Sequence, residues 1–150
     1  MKIIFLDIDG VLNYFDYNME VDMGSFLYFN EIDTQKVLLL NEIVRRTKAK
    51  VVISSSWRKY YSIEELIEGL NRRGFIGEII GVTPALYHIG VQRGEEIKHW
   101  IDNCGFNISS MVILDDDNDM SDLIRYHIQT NYSTGLTEED VELAIKELNN

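Results

Sequence analysis

MKIIFLDIDGVLNYF, residues 1–15, decides the fold. Residues 3–8 (IIFLDI) are rich in apolar and β-branched types and do not alternate with polar ones. That pattern suits a strand covered on both faces, as in a parallel sheet. The run carries two aspartates one residue apart, Asp7 and Asp9, with Gly10 immediately after. A later stretch, MVILDDDNDM at 111–120, does the same: an apolar strand stops at Asp115, and Asp116, Asp117 and Asp119 follow.

Working outward, the pattern alternates. TQKVLLLNEIVRRTK (34–48) carries Val37, Leu40, Ile43 and Val44 at helical spacing. Asp33 or Thr34 can cap its start, and Arg45, Arg46 and Lys48 favour its end. KVVIS (50–54) reads as a second buried strand. SIEELIEGLNRRG (62–74) reads as a helix with a Ser62/Glu65 capping box and a Gly74 stop. EIIGV (78–82) is a third strand, followed by the lone proline, Pro84. RGEEIKHWIDNCG (93–105) is a helix with Ile97, Trp100 and Ile101 on its inner face. MVILD (111–115) is the fourth strand, NDMSDLIRY (118–126) a short helix and HIQT (127–130) a fifth strand. TEEDVELAIKELN (137–149) closes the chain as a helix capped by Thr137.

This β-α alternation predicts an α/β fold: a five-stranded, mostly parallel sheet with helices on both faces, in one domain over 1–150. Right-handed crossovers and one reversal of winding leave a switch point, where ligands bind beyond the carboxyl ends of the strands. If the first and fourth strands are neighbours, their aspartates converge there. Residues 10–31 read as an irregular flap rich in aromatics: Tyr14, Phe15, Tyr17, Phe26, Tyr28 and Phe29. Its rings can pack locally, meet a substrate's leaving group, or join two copies of the chain as a homodimer.

Composition removes several classes. A net charge of −11 argues against tight, non-specific nucleic-acid binding, which needs a broad basic footprint. No apolar run approaches the length that spans a bilayer, so no membrane partner is expected. The N-terminal apolar run is too short for a signal peptide. The single cysteine, Cys104, fits a reducing compartment, and the expected location is the cytoplasm.

Carboxylates gathered within a few ångströms repel one another, and a divalent cation relieves that. With oxygen ligands and no His or Cys at hand, the site suits Mg²⁺ better than zinc. The Mg²⁺ would act on a phosphorylated substrate. An EF-hand reading fails, because the twelfth loop position would be Tyr126.

DIDGV (7–11) resembles the first motif of the haloacid dehalogenase (HAD) superfamily, whose phosphatases open with a D-x-D-G box. Ser54, after the second strand in VVISSSW, matches the second motif, and DDDND (115–119) matches the fourth. FLDIDGVLN, SSSWR, RGEEIKHW, ILDDDNDM and GLT together are similar to compact HAD domains associated with RNA-repair proteins, related to polynucleotide 3′-phosphatase domains. The resemblance implies a Rossmann-like HAD fold without a large cap domain, and Mg²⁺-dependent phosphomonoester hydrolysis through an aspartyl-phosphate. It makes Asp7 the nucleophile and Asp9 the acid and base. Asp7, Asp9 (through its carbonyl) and Asp115 would bind Mg²⁺ with support from Asp116 or Asp119, and Ser54 would hold a phosphoryl oxygen. Gly10 would let the chain turn past the phosphate. An open site would suit a bulky substrate such as a nucleic-acid end or phosphoprotein; a nucleotide or other small phosphorylated molecule also fits.

The family's third motif normally supplies a lysine. Arg93 stands at the start of the 93–105 helix instead and is the preferred replacement; Lys98 and Arg58 are the alternatives. Ser55 and Ser56 read as polar fill or a cap, with Ser55 also beside the substrate. Trp57 can stack a nucleobase with Arg58 beside it, although simple packing against the sheet end is the favoured reading. His88, His99 and His127 show no metal-ligand spacing. Two other functions share these features. A receiver domain would take its phospho-acceptor from the third strand, where EIIGV ends without an Asp. A non-catalytic phosphate- or metal-binding module would be expected to lack Asp7 or Asp9.

Overall fold

The computed structural model describes residues 1–15 and 28–150. Five strands, β1 (Lys2–Leu6), β2 (Lys50–Ile53), β3 (Ile79–Val82), β4 (Ser110–Asp115) and β5 (His127–Gln129), form one sheet in the order β3-β2-β1-β4-β5. Every neighbouring pair is parallel, so the sheet is wholly rather than mostly parallel. The helices are α1 (Thr34–Thr47), α2 (Ile63–Arg72), α3 (Arg93–Asn103) and α4 (Glu138–Asn149). The architecture is α/β and Rossmann-like, and no large cap is evident among the described residues.

Strand periodicity sorts the core into two layers. Ile4, Leu6, Val51, Ile53, Val112 and Leu114 meet α1, α2 and α4 through Leu40, Leu66, Leu70, Ala144 and Leu148. The alternate residues Ile3, Phe5, Val52 and Ile113 meet Ile97 of α3, with Trp100, Ile101 and Leu123 packed beside them. The helices hold their ends by the expected chemistry. Asp33 accepts from the Gln35 N–H at 2.8 Å, and Ser62 and Glu65 form a reciprocal box. Gly74 takes a φ of +97° just past α2, a conformation that side chains resist.

Two elements differ from expectation. β1 stops at Leu6 rather than residue 8, because the Ile8 carbonyl accepts the N–H groups of Val11 and Leu12 and turns the chain at once. Asp7 and Asp9 therefore leave the strand and enter a tight turn. The 118–126 segment is a 3₁₀ helix over Ser121–Tyr126. The middle of the 10–31 flap, with Tyr17 and Phe26, lies outside the described residues. At its described ends Phe15 rests on Tyr132, with ring centroids 4.6 Å apart, and Phe29 packs on Trp57 and Tyr61. Among the described residues no helix is long and apolar enough to cross a membrane.

Candidate active site

Parallel pairing of β1 with β4 aligns Leu6 with Leu114, and the Asp7 N–H donates to the Leu114 carbonyl at 2.9 Å. The register therefore carries Asp7 beside Asp115. Carboxylate oxygens of Asp7, Asp115 and Asp116 lie within 4.8 Å of one another. Gly10 makes this possible. It turns with φ +75°, and a Cβ there would sit 2.5 Å from the Asp116 carboxyl carbon. Its role is to let the Asp116 side chain lie directly against the turn, and its carbonyl is held by the Thr130 hydroxyl at 2.7 Å.

The electrostatics are those of a site short of positive charge. Burial pushes Asp7 up to about 6, against the pull of Arg93, a hydrogen bond from Ser55 and the Ile8 N–H. Burial and then repulsion from Asp7 push Asp115 up to about 8. Burial and Asp117 raise Asp116 as well. One oxygen of Asp115, Oδ2, is buried without a hydrogen-bond partner. Three close carboxylates, an orphaned buried oxygen and no His or Cys in the group are what a hard cation binds. The cluster therefore fits a metal ion.

One predicted metal residue stands differently. Asp119 is outside the cluster: its Oδ2 accepts the Arg93 N–H at 3.0 Å and its carbonyl accepts the Gly94 N–H at 3.0 Å. It caps α3 instead. Asp9 is expected to meet the ion through its backbone carbonyl, and its carboxylate is engaged elsewhere: Oδ1 accepts from Asn13 at 2.8 Å and from the Trp57 indole at 3.0 Å.

The three serines divide their work in a way that the sequence did not indicate. Ser54 continues the sheet, donating its N–H to the Leu6 carbonyl. It is fully buried, and its hydroxyl lies 3.5 Å from that of Thr83. Ser55 is the serine whose side chain favours the charged form of Asp7; its oxygen accepts the Trp57 N–H. Ser55 is itself fully buried, so it supports Asp7 rather than facing an incoming molecule. Ser56 lines the cleft, an opening of about 310 Å³ bounded also by Asp7, Asp9, Phe15, Arg93, Asp116, Asp117 and Tyr132.

The cations separate equally clearly. Arg93 reaches the cluster, with its Nε 3.8 Å from Asp115 Oδ2. Burial works against its charge, but Asp7, Asp115, Glu96 and Asp119 outweigh that and hold it firmly protonated. Its Nη1 is buried without a partner. Lys98 points away: it is well exposed and lies 3.3 Å from Asp102 on the same helix. Arg58 is locked in a buried pair with Glu96 at 2.5 Å and bonds the Ser55 carbonyl at 2.6 Å. Neither Lys98 nor Arg58 lines the cleft. Trp57 has no exposed surface and so offers no face to a base.

Sequence reading missed Glu96, Asn13 and Gly94. Glu96 joins Arg58 to the Leu86 N–H, which ties the β3–α3 loop to the turn after β2. Removing one partner of such a pair strands the other charge, at about 3–5 kcal/mol. Glu96→Ala is thus expected to lower unfolding free energy by that amount in urea melts, and Arg58→Met/Glu96→Met together by much less. Gly94 lies in the first turn of α3, where a Cβ would fall 1.9 Å from the Met120 carbonyl oxygen.

A family model described as the HAD domain in Swiss Army Knife RNA repair proteins matches residues 3–141, and the chain belongs to that family. No curated protein matches the chain.

Proposed function

We propose that the protein is a Mg²⁺-dependent phosphomonoester hydrolase working through an aspartyl-phosphate. The observation that carries this reading is the convergence of Asp7, Asp115 and Asp116 with Arg93 at one edge of the cleft. Asp7, Asp115 and Asp116 would hold the ion, with the Asp9 carbonyl. When bound, Mg²⁺ supplies a Lewis acid that neutralises phosphoryl charge. Arg93, with an unpartnered buried N–H, supplies a donor for a phosphoryl oxygen. Asp7 attacks phosphorus while the ester P–O bond breaks, and the Asp9 carboxyl gives its proton to the leaving oxygen. A water then attacks the aspartyl-phosphate, Asp9 takes its proton, and phosphate leaves with Asp7 restored. The Ile8 N–H holds the Asp7 carboxylate in place at 2.8 Å, and Ser55 favours its charged form.

The family's setting in RNA repair, and the lack of a large cap among the described residues, favour a nucleic-acid end as substrate. The net charge of −11 favours recognition of a terminus over recognition of a long strand. The test is release of phosphate from a generic aryl phosphate, then from 3′- and 5′-phosphorylated oligonucleotides, nucleotides and phosphopeptides, with Mg²⁺ and with chelator. Turnover that needs Mg²⁺ supports the reading. A folded protein that binds Mg²⁺ and turns over none of them is a binding module.

The raised carboxyls also set a pH dependence for the metal-free protein. Asp7 and Asp115 titrate near 6 and 8 when folded, against about 3.9 unfolded. Between pH 4 and 8 the native state then holds more protons than the unfolded chain, so stability falls as pH rises through that interval. In chelator, urea melts are expected to show a loss of a few kcal/mol from pH 5 to pH 8.5. Saturating Mg²⁺ should remove most of it, since binding to the native state alone adds about 2.7 kcal/mol at 100-fold over Kd.

A further inference from the structure

Trp57 has a role beyond packing, and it follows from where its one polar atom lies. Its ring is fully buried, edge-on to Phe29 with centroids 5.2 Å apart and beside Tyr61 at 5.7 Å. Phe29 is in turn pinned over Gly69, where any Cβ would strike its ring. The indole is therefore held by packing on several sides, and its rotamer is not free to follow Asp9. Its Nε1–H donates to Asp9 Oδ1 at 3.0 Å. Asn13, fixed by the turn in which its Oδ1 accepts the Gly10 N–H, donates to the same oxygen at 2.8 Å. Among the described residues both hydrogen bonds to Asp9 fall on Oδ1, and none falls on Oδ2.

We infer that Trp57, with Asn13, is a positioning residue that fixes the Asp9 carboxyl so that Oδ2 is the oxygen that exchanges the proton with the leaving group. The inference rests on the phosphatase reading above. Two N–H donors on one carboxyl oxygen define the plane of the group and mark that oxygen as the acceptor. A carboxyl on a turn beyond the strand end would otherwise rotate. A mis-set proton donor loses much of the hundred-fold or greater benefit of general acid catalysis. The arrangement also ties Asp9 to the 3₁₀ turn Phe29–Glu31, since Phe29 braces the indole.

The leaving group separates this role from a merely structural one. 4-Nitrophenol leaves readily as its anion; an alkyl or nucleoside alcohol needs the proton. Trp57→Phe is expected to lower kcat about tenfold or more on a 3′-phosphorylated oligonucleotide and on a simple alkyl phosphate, and less than threefold on 4-nitrophenyl phosphate. Benzothienylalanine at position 57, which keeps the indole shape and replaces N–H by sulfur, should reproduce the selective loss should Trp57→Phe prove unstable. Equal losses on all three substrates, or none, overturn the inference while leaving the phosphatase reading intact. Wild-type protein that hydrolyses none of them overturns the phosphatase reading instead, and with it this role. The hydrogen bond itself is read without turnover. The Trp57 indole proton should exchange slowly and shift in Asp9→Asn, while that of Trp100 stays put. An unshifted Trp57 signal refutes the contact.

Discussion

Asp7→Asn is expected to abolish the proposed hydrolysis and at the same time to stabilise the metal-free protein. The expected loss of turnover is about five orders of magnitude or more, the size seen when a covalent nucleophile is removed. An amide oxygen cannot form the aspartyl-phosphate, and Arg93 and Ser55 do not replace it. The stability gain has a separate origin. Asp7 is buried beside Asp115, and burial raises its carboxyl to about 6. Each unit of such a shift is worth about 1.4 kcal/mol. Above pH 7 without metal the charge is a liability, and the neutral isostere removes it along with its repulsion of Asp115. Loss of attraction to Arg93 offsets part, so a gain of about 1–3 kcal/mol is expected at pH 8 in chelator. With saturating Mg²⁺ the order reverses, because the variant gives up a ligand. Urea melts of both proteins in both conditions, beside phosphate release, check all three statements. A variant that keeps activity would remove Asp7 from the chemistry.

Gly94→Ala is the second large effect, and its sign runs against propensity. On an exposed helix alanine in place of glycine stabilises by about 1 kcal/mol. Here the new Cβ would lie 1.9 Å from the Met120 carbonyl oxygen and 2.3 Å from its carbon. Those are backbone atoms of the loop that carries Asp116, and they do not move aside as a side-chain tip would. The start of α3 must lift from the loop, breaking the Asp119 bonds to the Arg93 and Gly94 N–H groups. Overpacking of this kind costs about 1–3 kcal/mol, and the lost cap adds to it. A net loss of about 3 kcal/mol is expected in urea melts. Arg93 moves with the helix, and a misplacement near 1 Å costs about a hundredfold in turnover. Retention of both stability and rate would mean that α3 and the 115–120 loop are not in contact.

The chain determined much of this by itself. Two apolar runs that stop at Asp7 and Asp115 are a local pattern, and hydrophobic periodicity is enough to read strands and helices from it. The capping boxes at Ser62 and Thr137 are equally local, as each bonds a backbone N–H three residues on. The β-α order implied parallel strands, and the acidic ends implied a cation. The family resemblance added the D-x-D-G box and its chemistry.

Tertiary structure alone decided the rest, for one physical reason: side chains identical in type are told apart only by what lies opposite them. Three consecutive serines read alike along the chain, yet the ladder bond from Ser54 to Leu6 buries one and turns the next onto Asp7. Aspartates at 115, 116 and 119 are equivalent acids in sequence, but the approach of α3 converts Asp119 into a helix cap. Trp57 carries the usual signature of packing, and it packs; only the turn after β1 brings Asp9 under its N–H. The sequence could say that carboxylates gather at a sheet edge. Which of them meet one another, and which meet a donor instead, depends on contacts between segments as far apart in the chain as Asp9 and Trp57, or Asp7 and Asp115.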